Sequence, residues 1–578
     1  MRTILRFDPG LRELRGASVL VGTALVSFGS ALTIQAALGV STAMPVLAVV
    51  LALTVGRSQR GTGHRNRLAS LVRLPAVAVA AGLVGGVMRA EPPLGEALFV
   101  AGLSGAVWVR RFGPRVRQIG RLVTLPLVAI LVTPVPAVAI EGQSAWVGAL
   151  GAGVIAVVAG FWVTVIQLGA ERIGWLDESA PAPNSPAAGR REGEVRAGAG
   201  ARRIAPSTRM AVQLATALTA AFVIGQWISA SHWGWVVFTA FIVSSGNRGR
   251  GDVVWKGLLR LVGAAAGTLL ATGIGQAFAP GDRHAIAAIF VLLLLATWLR
   301  AINYAFWAAG ITALLAILYD YYGEGAPELL PERLGGILLG ALIAVAAAWL
   351  VLPVRTSDVA RRRCGDALAA LGDLLAALRT DRSEAEAQSL RFLGALEQFE
   401  QIAPPLRAYR RLHRTRPAHL ADAIDALARC VPPIRTLLDS DPDTLNAPPL
   451  RRSLGSVRKK VGAARLALAG RPESSAGNPK ETEELATAGG ASAVAVLAAL
   501  AAIGTEMATM RAVWLTFPRR RAKEPGGSAP LSGSNEPPRT PEPPLAPDPT
   551  RTAAPDPTRT AAPGPTRTAA PRSDVTPA

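Results

Sequence analysis

The chain has 578 residues, 50% of them hydrophobic and 17% charged, with a mean hydropathy of +0.32. Composition excludes a disordered, collagen-like or disulfide-rich secreted chain, and the long apolar blocks exclude a string of soluble domains. The net charge of +21 comes almost wholly from Arg; beside apolar blocks, Arg-rich cytoplasmic loops explain it better than nucleic-acid binding.

A membrane-spanning helix needs about 20 apolar residues. The first part of the chain offers 17–35, 41–55, 68–88, 94–109, 122–140 and 145–168. The second part offers 210–228, 233–244, 258–278, 284–299, 303–318 and 334–352. The shorter stretches can span if flanking Arg side chains reach the interface. Arg placement supports the count. One set of connections carries Arg57, Arg60, Arg65 and Arg67, then Arg110, Arg111, Arg115, Arg117 and Arg121, then Arg248, Arg250 and Lys256, then Arg300. The alternate set carries little beyond Arg89, Arg283 and Arg333. The positive-inside rule then predicts spans that start and end in the cytoplasm. No cleavage-site pattern follows the first stretch, so it reads as an uncleaved helix.

The two halves echo each other. Leu71-Val72-Arg73-Leu74 opens the third stretch of the first half and Leu258-Leu259-Arg260-Leu261 that of the second. Arg73 and Arg260 are 187 residues apart, as are Trp162 and Trp349. Six spans per half make the repeats parallel, an arrangement that often places substrate at the repeat interface. The predicted organisation is a first membrane half (1–170), a cytoplasmic linker rich in Ala, Pro, Gly and Arg (171–206), a second membrane half (207–354), a cytoplasmic helical domain (355–517) and a Pro/Ala/Thr-rich disordered tail (518–578).

Within the helical domain, Leu368, Leu371, Leu374, Leu375 and Leu378 make an amphipathic stripe, fit for the domain's own core or for a homo-oligomer. Further helical patterns cover 384–400, 418–438, 450–468 and 481–510, with breaks at Pro404-Pro405 and Pro432-Pro433. The apolar run 491–503 is too short for a thirteenth span. The tail holds an eight-residue repeat beginning at Ala546, a low-complexity pattern.

No enzyme signature, nucleotide-binding loop or metal-ligand spacing is present, and the chain is expected to be neither an enzyme nor cofactor-dependent. Cys364 and Cys430, distant from each other, read as reduced structural thiols.

The second half carries the more specific pattern. His232-Trp233-Gly234-Trp235 opens one stretch and Asn247-Arg248-Gly249-Arg250-Gly251 follows it. Arg260-Leu261-Val262-Gly263 with Gly267 opens the next. Arg300-Ala301-Ile302-Asn303-Tyr304 leads into another, and Arg333-Leu334-Gly335-Gly336 with Gly340 opens the last, which closes on Trp349 and Pro353. In order and spacing this resembles the fusaric acid resistance family, which includes aromatic acid exporters and is similar to the plant malate channels. The resemblance is clearest over 211–353; the first half matches in outline only. It implies an all-α, multi-pass protein of the bacterial inner membrane that exports small aromatic carboxylates, with the proton gradient as the driving force.

Four residues are candidates for binding the anion: Arg260, Arg300, Asn303 and Tyr304. A guanidinium is a fixed, planar cation that can grip a carboxylate bidentately. Placed at the cytoplasmic edge, Arg260 serves equally as a topology anchor. Arg300 with Asn303 and Tyr304 reads equally as an interfacial belt. Gly263, Gly267, Gly336 and Gly340 form small-xxx-small patterns expected to pack helices closely. Gln213, Gln226 and Gln276 either line a path or hydrogen-bond across helices. Three functions remain open at this point: an exporter of organic anions, a passive anion channel, and a membrane scaffold whose helical domain binds a partner.

Overall fold

In the computed structural model the described residues are 8, 11–38, 44–59, 64–132, 145–175, 205–228, 233–275, 278–322, 329–441, 444–445, 447–471 and 491–517. They are helical, with no strand among them. The chain divides into units 1–519 and 520–578, and the second, with most of the predicted tail, lies outside the described residues. So do 176–204 of the predicted linker and Gln276.

Every predicted apolar stretch contains a helix. In the first half these are α1 (Arg12–Leu38), α2 (Met44–Gln59), α3 (His64–Ala90), α4 (Pro92–Trp108), α5 (Pro114–Val132) and α6 (Ala145–Arg172). In the second they are α7 (Pro206–Ile228), α8 (Trp233–Ser244), α9 (Arg250–Gly275), α10 (Arg283–Leu299), α11 (Tyr304–Tyr321) and α12 (Leu329–Leu350). The boundaries shift where the pattern was weak. α5 starts eight residues before its predicted stretch, on Pro114, and residues 133–140 of that stretch lie outside the described ones. Glu171 and Arg172, assigned to the linker, close α6. Among the described residues, nine helices are long and apolar enough to cross a membrane, eight of them within α1–α12; α2, α5, α8 and α10 contain only shorter apolar stretches.

Large apolar side chains lie bare on these helices, as in Val72, Trp227, Leu269 and Leu350, each at least 75% exposed. A soluble protein would bury such surface; a lipid-facing one keeps it outside. The two halves also pair their helices alike. α1 packs on α2 and α6, α2 on α6, α3 on α5 and α6, and α4 on α5. In the second half α7 packs on α8 and α12, α8 on α12, α9 on α11 and α12, and α10 on α11. Across the halves, α4 meets α7 and α10 meets α1. The anchor residues themselves differ. Arg73 is exposed where Arg260 is buried, and Trp162 donates to Ser30 Oγ (2.9 Å) where Trp349 lies under Arg250.

Seven helices follow: α13 (Thr356–Ala377), α14 (Arg382–Glu400), α15 (Ala403–Leu412), α16 (Leu420–Arg429), α17 (Val431–Leu438), α18 (Pro448–Ala469) and α19 (Ala491–Thr516). The double prolines sit in the first turns of α15 and α17, where a missing N–H costs nothing, so each break is also a helix start. Leu368, Leu371, Leu374 and Leu375 are fully buried in one core with Phe392, Leu454 and Trp514. The leucine stripe is therefore used within the chain. α19 corrects the sequence reading. It runs 26 residues and is the ninth helix that clears the length and hydropathy of a span, because the Met- and Trp-bearing turns beyond Ile503 extend the apolar run. Its Val496, Leu500, Met507 and Trp514 are buried in that same core.

This helical cluster is fastened to the end of the second half. Gly249 has φ +123°, and a Cβ there would lie 3.2 Å from Thr356 Cα. Gly251 N donates to Thr356 Oγ1 (3.0 Å), Arg250 N to Val354 O (3.1 Å) and Arg248 Nη1 to Gln401 O (3.1 Å).

Candidate functional site

The site is built where α8, α9 and α11 meet. α9 and α11 touch backbone to backbone: a Cβ at Gly263 would stand 2.5 Å from Ala305 O and 2.6 Å from Ala308 Cβ, and one at Gly267 would strike Ala309 O. Gly336 and Gly340 serve a different seam, where α12 lies on Trp235, Val236 and Thr239 of α8. Both pairs thus mark close helix contacts, at separate places.

Arg260 lies one turn before Gly263 on α9 and is 1% exposed. α9 begins at Arg250, so Arg260 is ten residues, about 15 Å, into its helix and not at its edge. It remains level with the first turn of α11, where its charge acts on Tyr304. Its guanidinium carbon lies 5.7 Å from the Phe238 ring centroid on α8. Nε and Nη2 of Arg260 are buried without a hydrogen-bond partner, and so is the Tyr304 hydroxyl. A buried cation and a buried hydroxyl on adjoining helices therefore both have donor capacity to spare.

The other candidates divide. Arg300 is exposed, acts on Tyr304 electrostatically, and lies 5.5 Å from the Trp307 ring. Arg57, at the end of α2, lies 4.4 Å from the same ring, so the first half reaches the site through a residue the sequence offered only as a loop charge. Asn303 is exposed and its Oδ1 accepts from Ala305 N (2.9 Å), which caps α11. Its carbonyl is thus committed to holding Tyr304 at the helix start. Phe238 and Trp307 also escaped sequence reading, since an aromatic inside an apolar stretch carries no signal of its own.

The glutamines bond across helices. Gln213 Nε2 donates to Val351 O (2.8 Å) and Leu352 O (3.2 Å), and Gln226 donates to Glu96. No cluster of three or more metal-ligating His, Cys, Asp or Glu side chains occurs among the described residues.

Residues 219–347 match the family model described as fusaric acid resistance protein-like. That match supports the resemblance drawn from the Arg–Gly and Asn-Tyr pattern. The fusaric acid resistance protein-like stretch runs from α7 to α12 and contains the four binding candidates and the four packing glycines. No curated protein matches the chain significantly.

Proposed function

We propose that the chain is a secondary transporter that exports small organic, chiefly aromatic, acids across the bacterial inner membrane, with Arg260 as the anion-binding residue. The observation that carries this is the buried guanidinium of Arg260. A guanidinium withdrawn from water within a helix bundle is costly unless it is paired or hydrated. Attraction to an aromatic face returns about 0.5–2 kcal/mol. A carboxylate accepting from Nε and Nη2 would supply the rest, and Tyr304 can donate to the same group. The match over 219–347 fits a membrane exporter and leaves the choice of anion to this chemistry.

In this reading α1–α6 and α7–α12 are two parallel six-helix repeats, supported by their like pairings. Both termini and the helical domain face the cytoplasm, the Arg-rich side. The chain works in the lipid bilayer without a cofactor or nucleic acid, catalyses no reaction, and assembles as a homo-oligomer only through surfaces other than the leucine stripe. The test is uptake of radiolabelled benzoate and salicylate into inside-out vesicles. Accumulation above equilibrium that collapses with an uncoupler is the expected result. Flux that only equilibrates makes the protein a passive anion channel. No flux across a panel of acids leaves a scaffold for the helical domain.

A further inference from the structure

A second buried arginine stands at the other end of α11. Arg333, near the start of α12, is 5% exposed. Its guanidinium carbon lies 5.0 Å from the Tyr319 ring centroid and 5.9 Å from that of Trp235. Tyr304 and Tyr319 are 15 residues apart on α11, about 22 Å along its axis. Arg260 acts at Tyr304 and Arg333 lies by Tyr319, so the two cations attend opposite ends of that helix.

One face of α8 joins them. Trp235 and Phe238 are three residues apart and therefore neighbours on the helix surface. Arg333 lies over the first ring and Arg260 over the second. The filling nearby is apolar: Trp235, Ala264, Leu315, Leu318 and Ile337 form one buried cluster with Val46 of α2. α8 has 12 residues, about 18 Å, against a hydrocarbon core of about 30 Å. α2, also short at 16 residues, reaches the same cluster. Both helices are shorter than the roughly 20 residues a full span needs.

We infer that Arg333, Trp235 and Tyr319 form a second station for aromatic carboxylates, and that the anion passes between it and Arg260 along the Trp235–Phe238 face of α8. The guanidinium takes the carboxylate, and the Trp and Tyr faces take the ring. The apolar cluster separates the two stations and keeps water and small inorganic ions from crossing. Asp320 on α11 also acts on Arg333 electrostatically. A nearby acidic side chain of this kind favours release of an anion from Arg333.

This inference rests on the transport reading above, and its test separates the two. Counterflow of radiolabelled benzoate, salicylate and cinnamate is measured in inside-out and right-side-out vesicles, giving one half-saturating concentration for each face. Arg333→Gln is expected to raise the value at the face nearer Tyr319 at least about fivefold and to leave the other within about twofold. Arg260→Gln is expected to do the reverse. Tyr319→Leu, which keeps the charge and removes one ring, is expected to shift the same face as Arg333→Gln by a smaller factor. Equal shifts at both faces, or none, in a protein whose wild type exchanges the acids would overturn the second station and leave the transport reading standing. A wild type that exchanges none of the three acids overturns both.

Discussion

The guanidinium of Arg260 lies 5.7 Å from the Phe238 ring, and its Nε and Nη2 have no hydrogen-bond partner. An aromatic ring attracts a cation through its quadrupole and offers no lone-pair acceptor, so it does not use up the donors of the guanidinium. Phe238 therefore fixes Arg260 without consuming what a carboxylate would use. A topology anchor has no need of that arrangement, since an interfacial Arg snorkels to water.

Asn303 is a helix cap first. Asn303→Ser keeps an oxygen for Ala305 N and is expected to retain near-normal flux of radiolabelled benzoate. Asn303→Ala is expected to lower thermal stability by about 1 kcal/mol and to reduce flux through Tyr304. Equal loss in both variants would make Asn303 a direct substrate contact.

Gly263→Ala places a methyl 2.5 Å from Ala305 O, on backbone that has no rotamer to yield. We expect about 1–3 kcal/mol of destabilisation, read as a lower melting temperature of the purified protein. Gly335→Ala, where a Cβ meets nothing within 4 Å, is the control and should melt as wild type.

Cys364 and Cys430 are fully buried, and burial pushes both thiols up to about 12. Neither should react with N-ethylmaleimide at pH 8 in the native protein, and both should react after denaturation in SDS. The raised values also set a sign. The stability they carry is complete below the unfolded thiol value of about 8.5 and is lost as pH rises toward 12. Rapid labelling of the native chain would contradict the packing around them.

Asp425 tests the helical cluster. Burial works to raise its carboxyl, but Arg407 (2.7 and 3.0 Å) and Arg410 (2.7 Å) outweigh that and hold it below the usual range. A depressed carboxyl adds stability above the unfolded value of about 3.9 and loses it as pH falls through the folded one. Asp425→Asn should cost about 1 kcal/mol at pH 7 and flatten the acid side of the stability curve. Faster amide exchange in α16 at pH 7, with the difference from wild type shrinking as pH falls below the unfolded value of about 3.9, is the expected reading.

The sequence was legible where a physical constraint repeats. Long apolar runs and alternating Arg clusters located α1–α12, because lipid forces every backbone group into a helix. The pattern was thinner in α5 and in α19, whose apolar run continues through Met507, Met510 and Trp514 beyond the Ala-rich core of the segment. Arg260 was legible as a candidate on its own and Tyr304 as a neighbour of Arg300 and Asn303; that the charge of Arg260 also acts on Tyr304 depends on the packing of α9 against α11. Phe238, Trp307 and Arg57 were not legible, since their role depends on three-dimensional neighbours from other helices. Asn303 was read by its chemistry, while its position just before Tyr304 already marked a cap.

The most direct test of the account is the concentration dependence of benzoate flux from the cytoplasmic face in Arg260 variants. Arg260→Gln removes the charge and should raise the half-saturating concentration about 10- to 100-fold, the loss of a charge-assisted pair of about 1.5–3 kcal/mol. Arg260→Lys should fall between it and wild type. An unchanged half-saturating concentration in Arg260→Gln, with normal insertion and stability, would contradict the claim that this guanidinium binds the transported anion.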